Sequence, residues 1–398
     1  MKKNSKPQTD KNQTDKHQTK KADSAQAKTR PLTQLEQQLE QQRIQMQKDD
    51  EISAVAGVDI GDKRCFVRLT DLDGESLEEC QVPTRPEALD HWFRRWPRLR
   101  IVIETGTHSN WIRRRLAALA HDVLVADARQ LRLISQSDSK NDRNDAYWLA
   151  ELGRTNPALL NPVAPRKLET EQQRTLLRAR EAVLECRTKL KGSLRGMAKS
   201  HGIRLGRCAQ TQWVERVREA CPEVLHAALL GVAMQIESLG ATIREYDKQI
   251  IELGKRYAAV KRLRTIGGVG PLTALTFVLA LDNDPGRVKR SRQVGALVGL
   301  RPKQRQSGER SPRLGVTKSG DPLLRRTLIQ CAHWVLGPFG TDSTLRRWGL
   351  GLAARGGGHQ KKRAVVAVAR KLAVLMHVLW VKQENYDPLH GLVETVSP

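Results

Sequence analysis

Acidic side chains are in short supply: 43 Asp and Glu stand against 69 Lys and Arg, a formal net charge of +26 over 398 residues. That deficit argues for a polyanionic partner, since each Lys or Arg set against a phosphate releases condensed counterions. It is not an effect of one tail: residues 1–30 hold nine basic and three acidic side chains, which leaves +20 for the rest. Cysteine is sparse too. The six (Cys65, Cys80, Cys186, Cys208, Cys221, Cys331) are scattered, with no C-x-x-C pair. This excludes a zinc ribbon and a disulfide framework and fits a reducing compartment. Nothing reads as a membrane anchor either. The most apolar stretch, residues 364–381, is interrupted by Arg370 and Lys371, and no signal-type apolar region stands near the N-terminus. A cytoplasmic, nucleoid-associated protein without a membrane partner is expected.

The length predicts two or three domains. Residues 1–30 repeat variants of K-x-Q-T-D with almost no large apolar side chain, so disorder is expected. Residues 31–49 are helix-prone, with Leu32, Leu35 and Leu39 on one stripe, and 1–50 is therefore a basic extension. From residue 54 the pattern becomes α/β. Buried or hairpin strands are expected at 54–60 (AVAGVDI), 65–70 and 79–82, the last two around an Asp73-Gly74 turn. A helix over 86–95, a strand over 100–103, a helix over 109–120, a strand over 122–126 and a helix from 142 to about 153 follow. Three strands, a helix, then alternating strand and helix is the order of an RNase H-like fold, here over 51–160.

Residues 161–260 read as helical. Apolar residues at 225, 229, 232, 236, 239, 243, 246, 250, 253 and 257 alternate three- and four-residue spacings, the seam of a coiled coil. It is compatible with an intramolecular hairpin and with dimerisation. The segment 261–385 is mainly α-helical, with a tail over 386–398. It opens on Arg264-Thr-Ile-Gly-Gly-Val-Gly-Pro271, a helix-hairpin-helix-like turn. Its Gly268 and Gly270 could admit a phosphate to backbone N–H groups, or could simply make an ordinary glycine turn. Between Gly286 and Arg326 twelve Lys or Arg face only Glu309 and Asp321. Arg264, Lys303, Arg305, Arg310, Arg313, Lys318, Arg325 and Arg326 are the candidate phosphate contacts.

Four carboxylates carry the chemistry. Asp59 ends the first strand in GVDIGDK and Glu104 follows the next buried strand in IVIETGTHSN. Asp142 and Asp145 in KNDRNDA share one helical face. Singly, each has a bland reading: a turn, a helix cap, a solvated helix N-terminus. Together, at two strand ends and on one helix face, they predict a site for Mg²⁺ or Mn²⁺. Two such ions about 3.5–4 Å apart suit phosphodiester chemistry.

GVDIGDK, IVIETGTHSNW and KNDRNDA resemble the RuvC-like D-E-D-D site of a bacterial insertion-sequence transposase family. LRTIGGVGPLTALTFVLALDN with GALVGLRPKQRQSGERSPRLGVTKSGDPLLRRTL resembles that family's second transposase domain. The likeness runs from about Ala54 to Asp387. It implies a serine nucleophile that links covalently to DNA, matched by Ser307, with Arg305, Arg310 and Arg313 placed to offset phosphorane charge. Ser319, in a similar Ser-Gly pair, reads as a loop residue ahead of an Asp321 N-cap and Pro322. The resemblance further implies DNA as substrate, a structured guide RNA from the mobile element, and dimers assembling into a tetramer. Three other readings stay open: a metal-dependent nuclease or junction resolvase using water, an actin-like ATPase, and a non-catalytic nucleic-acid-binding scaffold.

Overall fold

The computed structural model describes residues 51–127, 141–306, 312 and 314–390. The extension expected over 1–50 and most of the 386–398 tail lie outside the described residues. The chain divides into two compact units between Pro165 and Arg166.

The first unit is a mixed five-stranded sheet in the order β3-β2-β1-β4-β5. β1 (Ala54–Ile60) is central because its near-continuous apolar run is buried on both faces. β2 (Arg64–Thr70) and β3 (Ser76–Pro83) extend the sheet antiparallel on one side. β4 (Leu99–Glu104) and β5 (Asp122–Ala126) extend it parallel on the other. The turn joining β2 to β3 is fastened by the Asp71 carboxylate, which accepts the N–H groups of Asp73, Gly74 and Glu75 at 2.8–3.0 Å. Gly74 sits at φ +103°, which glycine adopts without strain.

Alternation sorts β1 onto two cores. Ala54, Ala56 and Val58 pack with Leu89, Trp92 and Phe93 of α1 (Pro86–Phe93) and with Ile112 and Leu116 of α2 (Ser109–Ala118). Val55 faces the other way, with Val102 and Ala126, onto Leu149 and Leu152 of α3 (Asp142–Thr155). A helix on each face of a sheet this small leaves only the strand ends for polar work.

The second unit is helical. α4 (Leu168–Ser200) and α6 (His226–Lys255) pack along each other, joined through the short α5 (Trp213–Ala220). The expected seam is present in part: Leu229, Ile236, Ile243 and Ile250 are buried at seven-residue intervals. The alternate buried positions belong to Ala233, Gly240 and Gly254 rather than to Val232, Leu239 and Leu253, which are half-buried at the flanks. The third position of that seven-residue series, between Gly240 and Gly254, is Asp247, whose carboxylate takes Arg180 Nε at 2.8 Å.

α7 (Ala258–Leu263), α8 (Pro271–Ala280), α9 (Val294–Leu297), α10 (Pro322–Leu336), α11 (Thr344–Ala353) and α12 (Gly357–Lys382) complete the unit. One core gathers residues of α8, α10 and α12 together with Leu177 of α4 and Ile250 of α6. The segments expected as separate domains over 161–260 and 261–385 thus share a core. The far ends of α4 and α6 enclose a smaller core of their own around Trp213. By length and composition α12 and the stretch Glu223–Lys255 could cross a membrane. In α12, Val368, Leu372 and Met376 are buried in the protein core, and Lys371 Nζ lies 4.3 Å over the Trp348 ring.

Candidate active site and nucleic-acid interface

Strand register brings the first two acids together. β1 and β4 pair through Val58 opposite Ile103, so the next residues, Asp59 and Glu104, are neighbours at the same strand ends. The alternation that turns Val55 and Val102 toward α3 turns Asp59 and Glu104 to that face as well.

α3 runs back across this face. A Cβ on Gly153 would meet Val102 and Val55, whereas a Cβ on Gly57 would lie 2.0 Å from the Ala146 carbonyl oxygen and 2.4 Å from the Ala150 nitrogen. Moving from Gly153 toward the start of α3 therefore follows β1 from Val55 past Gly57 toward Asp59. Asp142 and Asp145, in the first turn of α3, come to the same end of the sheet as Asp59 and Glu104. Asn141 caps the helix by accepting the Asn144 N–H at 2.8 Å, and the helix dipole favours carboxylates in that turn. Asp142 is exposed; Asp59, Glu104 and Asp145 are half-buried, and each of these three has a polar or electrostatic partner.

The four acids thus share one end of the sheet, carried by β1, β4 and the first turn of α3. Among the described residues no group of three or more His, Cys, Asp or Glu stands close enough to hold a metal ion. Like-charged carboxylates gathered at one end of a sheet repel one another unless a cation offsets them. The donor chemistry, all carboxylate oxygen, is that of a site for hard divalent cations.

Sequence reasoning missed the residues that seat α3. Gly57 is one, and a glycine inside a buried strand is itself a signal for close backbone approach. Glu79 of β3 is another. It pairs with Arg143 of α3 at 2.7 Å and with Arg68 of β2, whose guanidinium lies 4.9 Å over the Tyr147 ring. Nothing in the spacing of 79 and 143 announces that link. On the other side of the acidic end, Trp111 Nε1 donates to His108 Nδ1 at 3.0 Å, and His108 Nε2 lies 3.4 Å from Asp62.

In the second unit the predicted phosphate contacts separate into two kinds. Lys303 and Arg305 are exposed beside the isolated antiparallel bridge Pro302–Val316, where the Lys303 N–H donates to the Gly315 carbonyl at 2.8 Å. Ser307, Arg310 and Arg313, further along that segment, lie outside the described residues. Arg264 is exposed at the end of α7, and Lys318 is exposed with φ +56°. Arg325 and Arg326 have partners within the protein, Arg325 half-buried and Arg326 itself exposed. Arg325 donates to the Val298 carbonyl at 3.0 Å, closing the end of α9. Arg326 pairs with Glu181 and Glu185 of α4.

The glycine turn also divides. Gly268 has φ +87°, and a Cβ there would lie 2.5 Å from the Trp334 ring, so this glycine makes room for an indole. Gly270, the N-cap of α8, is exposed and has open space where its Cβ would be. Asp321 caps α10 as expected, accepting the Leu324 N–H at 3.0 Å with Pro322 in the first turn. Burial works to raise the Asp321 carboxyl. The Arg174 guanidinium, the Leu324 N–H and Arg166 outweigh it and hold it below the usual carboxylate range.

Two family models match the chain. One, described as a transposase of DEDD type, covers residues 56–202; the other, described as the transposase IS116/IS110/IS902 family, covers residues 260–343. The transposase for insertion sequence element IS1111A of Coxiella burnetii is 30% identical over 260 residues, 62% of this chain and 68% of that protein. A putative transposase of Sinorhizobium fredii, y4pF/y4sB, is 30% identical over 315 residues, 76% and 78% of the two chains. The transposase for insertion sequence element IS1328 of Yersinia enterocolitica is 26% identical over 329 residues, 82% and 95%.

Proposed function

The chain belongs to the IS116/IS110/IS902 family of transposases, and from that footing we propose that it excises and inserts a mobile DNA element by metal-dependent strand cleavage with a serine nucleophile. It is an enzyme that acts on DNA. In our reading the first unit is an RNase H-like, RuvC-like domain, supported by the strand order β3-β2-β1-β4-β5 with two antiparallel and two parallel pairings. The observation that carries the reading is the shared end and face of Asp59, Glu104 and the first turn of α3.

Asp59, Glu104, Asp142 and Asp145 would hold Mg²⁺ or Mn²⁺. Such ions lower the pKa of an attacking oxygen and stabilise a leaving one. Carboxylates alone would repel a phosphate, so the scissile phosphate would be held at this end of the sheet through such ions. Ser307 Oγ attacks phosphorus, gives up its proton and forms a phosphoserine link, while the leaving sugar oxygen takes a proton up. Lys303 and Arg305, with Arg310 and Arg313, offset the charge that builds on the phosphorane. A structured RNA from the element pairs with target and donor DNA, and dimers of the chain assemble into a tetramer in the bacterial cytoplasm.

The test is strand exchange by purified protein with element ends and the element's non-coding RNA. Asp59→Ala and Ser307→Ala should each abolish exchange while leaving nucleic-acid binding largely intact. Undiminished exchange by either variant refutes its assigned role. A suicide substrate separates the nucleophiles: a covalent protein–DNA adduct supports Ser307, and cleavage without adduct supports water and the nuclease reading.

A further inference from the structure

Between Glu185 and Glu215 the chain has no acidic residue, yet it carries seven Lys or Arg. Four of them, Arg187, Lys191, Arg195 and Lys199, recur at four-residue intervals along the C-terminal half of α4, so they form a single inclined row. Like charges at that spacing destabilise a helix. The remaining three, Lys189, Arg204 and Arg207, stand beside the row or in the loop after it, and all three are exposed, as are Arg195 and Lys199.

The first half of the same helix is built differently. There Arg174 is paired with Asp321 and Arg180 with Asp247, and the carboxylates of Glu181 and Glu185 take Arg326. Among the described residues, none of the seven basic side chains beyond Glu185 forms an ion pair. Two of them, Lys191 and Arg195, are held in place by uncharged neighbours. Lys191 Nζ and the Arg195 guanidinium lie 5.3 and 5.1 Å from the Trp213 ring, and Lys191 also donates to Gln210 at 2.6 Å. Burial, and then the charges of Arg187 and Arg195, lower the Lys191 ammonium from its ordinary range. Arg187 is lowered as well, by burial and then by Arg180. The result is a concentrated positive charge along the C-terminal half of α4.

We propose that this basic ladder, with the loop over 201–212, is a binding surface for the phosphodiester backbone of a nucleic-acid duplex. It shares no residue with the acidic end of the sheet or with the Pro302–Val316 bridge. From Arg187 to Lys199 the row spans about 18 Å at about 1.5 Å per residue. One strand of a DNA duplex sets about five phosphates along that axial length. With no carboxylate and no exposed aromatic ring in the row, the contact reads charge and spacing rather than bases. No apolar stripe accompanies it, as a helix lying on a membrane would need.

The experiment uses the full chain and two probes, a DNA duplex and a folded RNA hairpin, with binding measured across a range of salt. Arg195→Gln with Lys199→Gln is compared with Lys248→Gln and Lys255→Gln. The latter pair is exposed on α6, where Lys248 pairs with Glu245 and Lys255 with Glu252; it removes equal charge elsewhere. The ladder variant should lower the slope of log affinity against log salt by about 2 for at least one probe, because each neutralised phosphate contributes about 0.9 to that slope. The control should leave it unchanged. A smaller slope with the DNA probe assigns the surface to DNA, and a smaller slope with the RNA probe assigns it to RNA. Equal slopes for ladder variant and wild type with both probes overturn the proposal, as does an equal reduction in the control. A second readout needs no variant: acetylation of Lys189 and Lys199 in the wild-type protein should slow when the nucleic acid is added, and an unchanged rate counts against the surface. Because both readouts are binding, they stand whether or not the carboxylates and Ser307 act as proposed.

Discussion

The Gly57 Cα and the Ala146 carbonyl oxygen come so close that a methyl group on Gly57 would sit 2.0 Å from that oxygen. No backbone of β1 and α3 at this separation accommodates a side chain. Gly57→Ala must therefore push α3 off the sheet, and with it the turn bearing Asp142 and Asp145. Overpacking of this kind costs about 1–3 kcal/mol, and more where backbone is the obstacle. The expected result is a lower melting temperature, and cleavage falling further than the residual folded fraction accounts for. A variant with wild-type cleavage and stability would show that the contact does not seat the acids.

Gly268 and Gly270 should respond differently. Alanine at Gly268 meets both a positive φ and the Trp334 ring, so Gly268→Ala should destabilise the second unit by about 1–3 kcal/mol in a denaturant melt. Gly270→Ala has free space and should melt like wild type. If the N-terminus of α8 takes a phosphate there, Gly270→Ala should weaken DNA binding while stability is kept. Equal affinity would leave the turn a purely structural one.

Asp321 ties α10 to α4 through Arg174, and both side chains are nearly buried. Asp321→Ala removes a helix cap worth about 0.5–2 kcal/mol. It also leaves a guanidinium without its counter-charge, a loss of about 3–5 kcal/mol for a buried pair broken on one side. Chemical denaturation should report a drop in that upper range, and Asp321→Asn a smaller one because the cap survives. A drop confined to a few tenths would mean that solvent already screens the pair.

The buried His121 accepts the Leu99 N–H on Nδ1 at 3.2 Å, and burial holds its pKa below the ordinary value. An unfolded imidazole titrates near about 6.5, so on acidification the unfolded chain takes up this proton first. The contribution is therefore complete above about pH 6.5 and is lost as pH falls through the lower folded value. Between pH 7 and 5 the melting temperature of the wild type should fall more steeply than that of His121→Asn, whose amide oxygen can accept the same N–H. Parallel curves would remove His121 from the acid response.

The sheet was legible in advance because strands buried on both faces leave near-continuous apolar runs, and Asp59 and Glu104 stand where those runs stop. The seam of α6 was only half legible. Its alternate positions are Ala233, Gly240 and Gly254, which no pattern of large apolar side chains marks out; a Cβ on Gly254 would lie 3.3 Å from Val260 of α7, and one on Gly240 3.6 Å from Arg187 of α4. The least legible features were cross-chain pairings. Arg325 and Arg326 sit in a dense basic run that reads as phosphate contacts, yet one closes α9 and the other answers Glu181 and Glu185. Local spacing carries no trace of partners 27 or 141 residues away. The glycine turn was ambiguous for a similar reason, since a gap for an indole and a gap for a phosphate look alike along the chain.

Glu79 belongs to an outer strand, two places removed from the centre of the sheet, yet it grips both Arg68 and Arg143. The outer strand is thereby tied to the helix that bears Asp142 and Asp145. A salt or a substitution that loosens this pairing should shift the start of α3, where Asp142 and Asp145 stand, while leaving all four carboxylates in the sequence unchanged.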